Sequence, residues 1–283
     1  MNIKKNFDSL PLNTPVLFLV FNRPDTTSIV FERIRQIKPL KLYVAGDGPR
    51  KGNDEDKEKV KKVRDIVNRI DWPCEVKTLF REKNLGCKKG VSTAITWFFN
   101  QEEKGIILED DCVPNLDFFN FCESLLDRYA NDEKISVISG NNFQNGKWRG
   151  NASYYFSKYS HIWGWASWRR CWNEYDVEMS RWPEFKKSEL IQSNFFLKKE
   201  QDFWIKSFDK FYFYGFPDSW DYQWFFTALI NGGMTIIPSM KQNLSTPSDL
   251  IDLQNINELN GISISEKSNI LVGALTTHNQ LSK

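Results

Sequence analysis

The sequence has little of what marks several large classes of protein. Its five cysteines include no Cys-x-x-Cys pair, so neither a disulfide framework nor a cysteine zinc site is indicated, and a reducing compartment is favoured. No hydrophobic run approaches the roughly 20 residues of a membrane-spanning helix. The first 15 residues lack the apolar stretch of a secretory signal, so we expect a cytoplasmic protein.

An excess of charge of one sign is also missing. The chain has 38 Lys and Arg against 36 Asp and Glu, a formal net charge of +2. A nucleic-acid-binding protein would concentrate basic residues on one face, so no nucleic acid partner is expected. A weak attraction to anionic membranes stays open. Aromatic residues, in contrast, are abundant, with 22 Phe, 11 Trp and 9 Tyr. A Phe-rich core explains the Phe, whereas Trp and Tyr also suit a surface that binds ring-shaped ligands.

Short apolar runs alternate with amphipathic segments along the first half of the chain. The pattern predicts strands at residues 16–21, 42–45, 75–80 and 105–108, separated by helices at 25–37, 55–70 and 91–99. This order predicts a Rossmann-like α/β fold, a mostly parallel sheet with flanking helices and right-handed crossovers. We expect a ligand-binding half at 1–140 and a second half at 141–283 in the same globular domain.

The second half is predicted to be an aromatic-rich helical lobe. A helix at 116–129 and a strand at 135–139 complete the first half, and the second half is expected to contain helices at 184–195, 200–211 and 222–231 with a strand at 234–237. The tail from Gln242 is polar and has no predicted element.

Polar side chains follow each of the first four predicted strands. Ligands of such sheets bind beyond the carboxyl ends of the strands, so these side chains should meet at one edge although they are far apart in sequence. They are Asn22, Arg23, Asp47, Arg81, Asn84, Glu109, Asp110 and Asp111.

The triplet Glu109-Asp110-Asp111 ends a buried apolar strand. Three neighbouring carboxylates repel one another, and a bound divalent cation is the simplest relief. Magnesium and manganese prefer carboxylate oxygen together with substrate phosphate. An acidic turn that caps a helix is the alternative, and the polar segments that follow the other strands favour the metal.

The other strand-end residues suit an anionic nucleotide ligand. Arg23 and Arg81 can pair with diphosphate oxygens, since guanidinium binds them in a bidentate manner. Asp47 can accept hydrogen bonds from a base or ribose, and the Asn84 turn can present backbone N–H groups at a helix start. Each also has a plain structural interpretation, as a surface ion pair or a turn residue.

The aromatic cluster reads in two ways. Trp165, Trp168 and Trp172 are spaced as one helical stripe, which is typical of core. Trp163-Gly164-Trp165 instead suggests a close approach to a ligand, because glycine leaves room between the indoles. His161 is interpreted as an acceptor-site or metal residue, or as a structural histidine.

These motifs, in their order, resemble nucleotide-diphospho-sugar transferases of the glycosyltransferase A-type fold. The likeness is nearest to bacterial transferases of surface-polysaccharide synthesis and extends more distantly to the animal N-acetylglucosaminyltransferase with an EDD motif. It covers roughly residues 15–238 and is carried by the segments VFNRP, AGDGPR, FREKNLGCKKGV, IILEDDCVPNLDFF, HIWGWASWRRCW and SWDYQW.

The resemblance implies a role for each matching position. Asp111 would bind Mn (or Mg), Asp110 would contact the ribose or nucleotide, and Arg23 and Asp47 would contact the nucleotide. Asp221 would be the base that deprotonates the acceptor hydroxyl. A second set, with Trp163 and Trp165 beside Trp220, is expected to contact the acceptor.

Some of these roles have competing interpretations. Tyr222-Gln223 stands where the animal enzyme has a further acidic residue, and a helix N-cap is the competing role for Asp221, with Asp218 as the alternative base. His278 is a further candidate for the diphosphate or metal.

The sequence therefore predicts a metal-dependent, inverting glycosyltransferase. It would move a sugar from a nucleotide-sugar, a UDP-sugar by preference, to a glycan or lipid-linked saccharide acceptor, with peripheral contact at the inner face of the membrane. Two alternatives remain: a non-catalytic carbohydrate-binding protein that uses the Trp cluster, and a nucleotidyltransferase. The latter would need a glycine-rich loop after the first strand, where this chain has Asn22-Arg23-Pro24.

Overall fold

The computed structural model describes residues 11–144, 152–239 and 243–244. The predicted tail, His278 and most of the segment after residue 239 lie outside this range. The helices are α1 (Pro24–Ile37), α2 (Asp54–Val67), α3 (Gly86–Phe99), α4 (Leu116–Arg128), α5 (Arg169–Trp172), α6 (Trp182–Lys187), α7 (Leu190–Asn194), α8 (Lys198–Tyr214) and α9 (Asp221–Ile230).

The strands of the main sheet lie between these helices, and two short strands form a separate pair. They are β1 (Val16–Val20), β2 (Lys41–Gly46), β3 (Glu75–Phe80), β4 (Lys104–Glu109), β5 (Val113–Pro114), β6 (Ile135–Ser139), β7 (Tyr154–Ser157), β8 (Trp165–Trp168), β9 (Met234–Pro238) and β10 (Asn243–Leu244). No described helix is long and apolar enough to cross a membrane.

The main sheet has eight strands in the order β3-β2-β1-β4-β8-β6-β9-β7. The strands from β3 to β4 are parallel, as the alternation of strands and helices predicts. The strand β8 is antiparallel to both β4 and β6, so β6 again runs in the direction of β4. The predicted α/β fold with a mostly parallel sheet is confirmed.

The central strands are buried because helices cover both faces of a parallel sheet. Every residue of β1 is buried, whereas β3, at the edge, keeps exposed and half-exposed side chains. One large hydrophobic cluster contains the side chains of β1, β2, β4 and β6 with those of α1, α3 and α4. A second cluster, rich in aromatic rings, joins α6, α8 and α9 and forms the predicted aromatic-rich helical lobe.

Two predicted elements differ in the structure. The stripe of Trp165, Trp168 and Trp172 was expected on one helix, but residues 165–168 form β8, with Ser167 opposite Gly105 of β4. Pairing across the sheet decides this conformation, and local spacing cannot reveal it. The helix predicted at 184–195 is two helices, since Ser188 is extended and its hydroxyl group donates to the carbonyl of Phe185.

Candidate active site at the carboxyl edge of the sheet

The acidic triplet begins at Glu109, the last residue of β4, and meets the turn that follows β1. The Phe21 N–H donates to Oδ2 of Asp110 over 3.0 Å, which ties the two strand ends together. The Arg23 guanidinium bonds both Oδ1 of Asp110 (3.1 Å) and Oδ2 of Asp111 (2.6 Å). The predicted convergence of Arg23, Asp110 and Asp111 is therefore seen, although they come from segments 87 residues apart.

Arg23 is positioned by the start of α1. It is the N-cap residue, Pro24 supplies the first helical residue with its fixed φ, and the Arg23 carbonyl accepts from the N–H and the hydroxyl of Thr27. Its backbone is thus fixed while 56% of its side chain stays exposed. Such a guanidinium can exchange its carboxylate partners for a ligand's anionic oxygens.

The electrostatics of the site are dominated by negative charge. Burial raises the pKa of Glu109 well above its ordinary value, and the charges of Asp111, Asp110 and Asp221 raise it further. Burial also raises the pKa of Asp110 to about 6, against the opposing effect of Arg23. Loss of hydration alone would lower the pKa of Arg23, but the charges of Asp110 and Asp111 outweigh it. The carboxylates therefore repel one another, and a bound cation would relieve that repulsion.

Asp221 approaches this cluster from the second half of the chain. It is the first residue of α9, the N-cap is Trp220, and that helix start has no side-chain cap. The Ser219 hydroxyl donates to the Asp221 carboxylate instead. Burial raises the pKa of Asp221, and its charge in turn raises the pKa of Glu109. The competing interpretation of Asp221 as the N-cap of α9 is therefore corrected.

Two other carboxylates occupy the start of α3. Asp47 accepts from the N–H groups of Leu85 (2.9 Å) and Gly86 (3.2 Å), and Asp218 accepts from those of Cys87 (2.6 Å) and Lys88 (3.2 Å). Two carboxylates of the chain itself thus bind the N–H groups that were predicted to bind the nucleotide ligand. Both oxygens of Asp218 are engaged, which favours Asp221 as the base.

Three of the side chains predicted to bind the nucleotide-sugar also form hydrogen bonds within the protein. The Arg81 guanidinium donates to the Gly90 carbonyl and the Thr93 hydroxyl of α3. The Asn84 amide donates to the Gly48 carbonyl over 3.0 Å, and the Asn22 amide donates to Asp56 over 2.7 Å. These contacts shape the loops at the carboxyl edge, and direct donor contact by the three side chains remains a prediction.

The predicted acceptor-contact tryptophans divide into two groups. Trp165 is 0% exposed and Trp220 is 2% exposed, and their indoles stack with ring centroids 5.7 Å apart. The prediction of acceptor contact is corrected for these two residues, because stacking in the core leaves them no free surface. Trp163 is only partly buried and lies edge-on to Phe143, so it stays a predicted contact.

His161 lies in the same region as Trp163. It packs against the Phe143 ring at 4.6 Å, and burial lowers its pKa to about 4, so the imidazole is neutral at pH 7. A neutral ring packed on an aromatic neighbour fits the structural interpretation.

Two further residues near this edge were not predicted from the sequence. The Tyr175 hydroxyl donates to the Trp220 carbonyl over 3.1 Å, and burial followed by the Asp221 charge raises its pKa. Asn141 follows β6, which ends at the same edge as β4, and it is 0% exposed. Its side-chain amide has no hydrogen-bond partner among the described residues. A strand-end position was the available signal for Asn141, whereas nothing in the sequence singles out Tyr175.

The fit of a divalent cation follows from these donors. Among the described residues, no three His, Cys, Asp or Glu side chains are grouped so as to hold a metal ion by themselves. Asp111, whose side chain is 34% exposed, offers hard oxygen at the open side of the cluster. Such a donor fits magnesium or manganese shared with phosphate oxygens and does not fit a closed zinc site.

One protein-family model is similar to the end of the chain. Residues 227–283 match the family described as FAD binding domain in molybdopterin dehydrogenase. A curated relative, the carbon monoxide dehydrogenase medium chain of Afipia carboxidovorans, is 44% identical over 50 residues, which is 18% of this chain and 17% of that protein. Within the matched range the structure describes only residues 227–239 and 243–244.

Comparison with solved structures finds α/β proteins at low similarity. HddC from Yersinia pseudotuberculosis aligns with a TM-score of 0.29 and 14% identity over 44% of this chain and 56% of that one. UDP-glucose pyrophosphorylase complexed with UDP-glucose aligns at 0.32 and 8%, over 57% and 78%. The 4-diphosphocytidyl-2C-methyl-D-erythritolsynthase of Anaerococcus prevotii aligns at 0.33 and 8%, over 70% and 84%. This similarity concerns the fold alone.

Proposed function

We propose that this chain is a metal-dependent glycosyltransferase that moves a sugar from a nucleotide-sugar to an acceptor hydroxyl, with inversion at the anomeric carbon. One observation carries the proposal. Asp221, from the second half of the chain, approaches the Glu109–Asp111 carboxylates closely enough to raise the pKa of Glu109. A candidate base and a group of neighbouring carboxylates are therefore found together at the edge of the sheet where α/β proteins bind their ligands, which supports the proposal.

The donor half of the site is built on Arg23 and the acidic triplet. Arg23, with its backbone fixed by α1 and its head half-exposed, is placed to bind the donor's diphosphate in exchange for its carboxylate partners. Asp110 is held by the Phe21 N–H and contacts the ribose or nucleotide side. A divalent cation held by Asp111 would neutralise negative charge that develops on the leaving diphosphate.

The acceptor half depends on Asp221. A sugar hydroxyl is a weak nucleophile at neutral pH, and a carboxylate within hydrogen-bond reach takes its proton as the attack proceeds. Burial raises the pKa of Asp221, which strengthens it as a base. The Ser219 hydroxyl orients the carboxylate. One base together with one metal ion suits a single in-line displacement with inversion.

A nucleotidyltransferase is the second candidate. It is supported by the names of two similar solved structures, although similarity at that level shows the fold alone. The turn after β1 favours the glycosyltransferase. In this turn the Asn22 side chain donates to Asp56, and the Arg23 side chain donates to the acidic triplet. A glycine-rich loop that wraps a triphosphate has no counterpart there.

The carbohydrate-binding alternative loses its main support. It requires an exposed Trp cluster, but three of the four tryptophans of that cluster are buried, Trp165, Trp168 and Trp172, and only Trp163 is partly exposed.

Products distinguish these functions. The purified chain would be incubated with manganese and a panel of nucleotide-sugars, and separately with nucleoside triphosphates and sugar phosphates. We expect release of a nucleoside diphosphate from one nucleotide-sugar, lost on chelation and in Asp111→Asn. The exposed Asp65 of α2 supplies the matched control, and Asp65→Asn should react as wild type. Pyrophosphate release from a triphosphate would instead establish the nucleotidyltransferase, and sugar binding without turnover would establish a binding protein.

A further inference from the structure

Exposed apolar side chains are concentrated on one part of the helical lobe. Thirteen large hydrophobic residues are exposed in the described part of the chain, and seven of them lie between residues 190 and 216. Phe196 is 85% exposed and Tyr214 is 80% exposed, values at which a ring makes almost no packing contact. The seven are Leu190, Phe196, Leu197, Phe203, Phe213, Tyr214 and Phe216.

The helix α8 organises most of this surface. Its inner face carries Phe208 and Phe211, which are buried in the second hydrophobic cluster. Its outer face carries residues spaced by three or four positions, which places them on one stripe of a helix. They are Lys199, Phe203, Lys206, Lys210 and Phe213. Aromatic rings and lysines therefore alternate along the outer face of α8.

The charge of this face is positive. The acidic residues of the helix are paired: Asp209 with Lys186 (2.7 Å), Glu200 with Lys158 (3.3 Å) and Asp202 with Lys198 (3.0 Å). Lys199 and Lys206 form no ion pair within the described ranges, and the Lys210 ammonium lies 4.9 Å from the centre of the Phe216 ring. The outer face thus presents cations that are not neutralised by neighbouring carboxylates.

We propose that the outer face of α8, with the exposed residues on either side of it, docks on an anionic lipid bilayer. Exposed Phe and Tyr rings enter the headgroup region, and each lysine near the surface is attracted to anionic lipid. Lysine stems also lie along apolar surface while their charged ends reach headgroups. A protein partner fits less well, because lysine is depleted from protein–protein interfaces.

The docking surface and the candidate active site are close along the chain. Phe216 is two residues before Asp218, whose carboxylate caps α3, and five before Asp221. An acceptor anchored in the bilayer would therefore meet the site close to its base. This consequence rests on the proposed function, whereas the docking does not.

Vesicle sedimentation with the full chain tests the proposal. Vesicles of phosphatidylcholine alone are compared with vesicles in which about one-third of the lipid is phosphatidylglycerol. We expect binding to the anionic vesicles that weakens with salt. Reversal of two outer lysines, Lys206→Glu with Lys210→Glu, should weaken partitioning by at least about 30-fold. Phe203→Ser with Phe213→Ser should weaken it on both vesicle types.

Matched controls come from other surfaces. Lys61→Glu with Lys62→Glu changes the same charge on the exposed side of α2, and Phe156→Ser removes an exposed ring from β7. Both should bind as wild type. Equal sedimentation of the α8 and control variants would overturn the proposal. The proposal would also be overturned if the wild-type chain did not bind anionic vesicles and light scattering showed that it self-associates through this face. Failure of sugar transfer would leave vesicle binding unchanged, so the two claims fail separately.

Discussion

Single residues at the carboxyl edge are arranged for charge rather than for stability. Glu109, Asp110, Asp111 and Asp221 share one region, and Arg23 neutralises only part of their charge. Buried carboxylates without matched cations destabilise a folded chain, because the charged form loses hydration. Such an arrangement is typical of functional sites, where the ligand supplies the missing charge.

Replacement of Glu109 tests this cost. The pKa of Glu109 is higher in the folded state than in the unfolded chain, so the unfolded chain loses the Glu109 proton at a lower pH. The free energy of unfolding therefore falls as the pH rises above the ordinary pKa of glutamate. We expect Glu109→Gln to raise the melting temperature by a few degrees at pH 8 and by much less at pH 5. The measurement is thermal unfolding against pH. A variant that is less stable than wild type at pH 8 would show that the charge is compensated.

If Asp221 is the base, as proposed, it should govern the pH dependence of sugar transfer. Its pKa is raised by burial, so the rate should fall as the pH drops through a value above the ordinary aspartate pKa, since the protonated acid cannot accept the hydroxyl proton. We expect Asp221→Asn to lower kcat by about 10² to 10⁴ and to abolish that acid limb. Donor affinity should stay at the wild-type level. Loss of donor binding together with kcat would assign Asp221 to the donor side instead.

At the level of elements, the start of α3 joins the two halves of the chain. Asp47 follows β2 and Asp218 precedes α9, and together they accept four N–H groups of residues 85–88. Gly86 has φ +79°, and a Cβ there would overlap Oδ2 of Asp218. Glycine is therefore required at this turn both for its conformation and for the approach of the carboxylate.

Loss of the contact between Asp218 and the start of α3 should also affect Asp221, the proposed base. Asp218→Ala removes the carboxylate that accepts from the N–H groups of Cys87 and Lys88, and we expect stability to fall by about 1 kcal/mol. Movement of the released segment 216–221 should lower kcat by about 10- to 100-fold, because a displaced Asp221 would accept the hydroxyl proton poorly. Asn53→Ala is the matched control, since it removes the N-cap of α2 far from Asp221. Equal kcat in the two variants would make Asp218 a structural cap alone.

Elements were predictable where local pattern decides them. The strand at Glu75–Phe80 and the strand at Ile135–Ser139 match the structure, and α9 begins within one residue of its expected start. The helix predicted from the spacing of Trp165 and Trp168 was wrong, because this segment forms the strand β8. Its conformation depends on pairing with β4, which lies about 60 residues earlier in the chain. The short strand β7 was missed for the same reason, as it pairs with β9.

The candidate site was predictable to a smaller extent. Strand ends located the edge, and the bonds from Arg23 to Asp110 and Asp111 confirm the convergence. The sequence could not show that Asp47 and Asp218 would occupy the start of α3, because such contacts form only when distant loops meet. It also could not separate core tryptophans from surface ones, since Trp165 and Trp220 are buried by their mutual stacking.

The whole molecule combines a parallel half, β1 to β4, with a mixed half that carries the aromatic-rich lobe. The parallel half supplies Arg23 and the acidic triplet, and the other half supplies Asp221 and the exposed outer face of α8. The residues proposed to bind the nucleotide-sugar, the proposed base and the proposed membrane-docking surface thus come from separate elements. The account therefore requires that a nucleotide ligand and a metal bind together at the carboxyl edge of the sheet.

Thermal unfolding with a panel of nucleotides and nucleotide-sugars, in manganese and in chelator, tests this requirement most directly. A ligand at about 100 times its Kd stabilises the folded state by about 2.7 kcal/mol, which corresponds to a rise in melting temperature of roughly 5–10 °C. We predict such a rise for one nucleoside diphosphate family, only with manganese, absent in Asp111→Asn and retained in Asp65→Asn. No rise with any nucleotide, or a rise that is equal in chelator, would contradict the account.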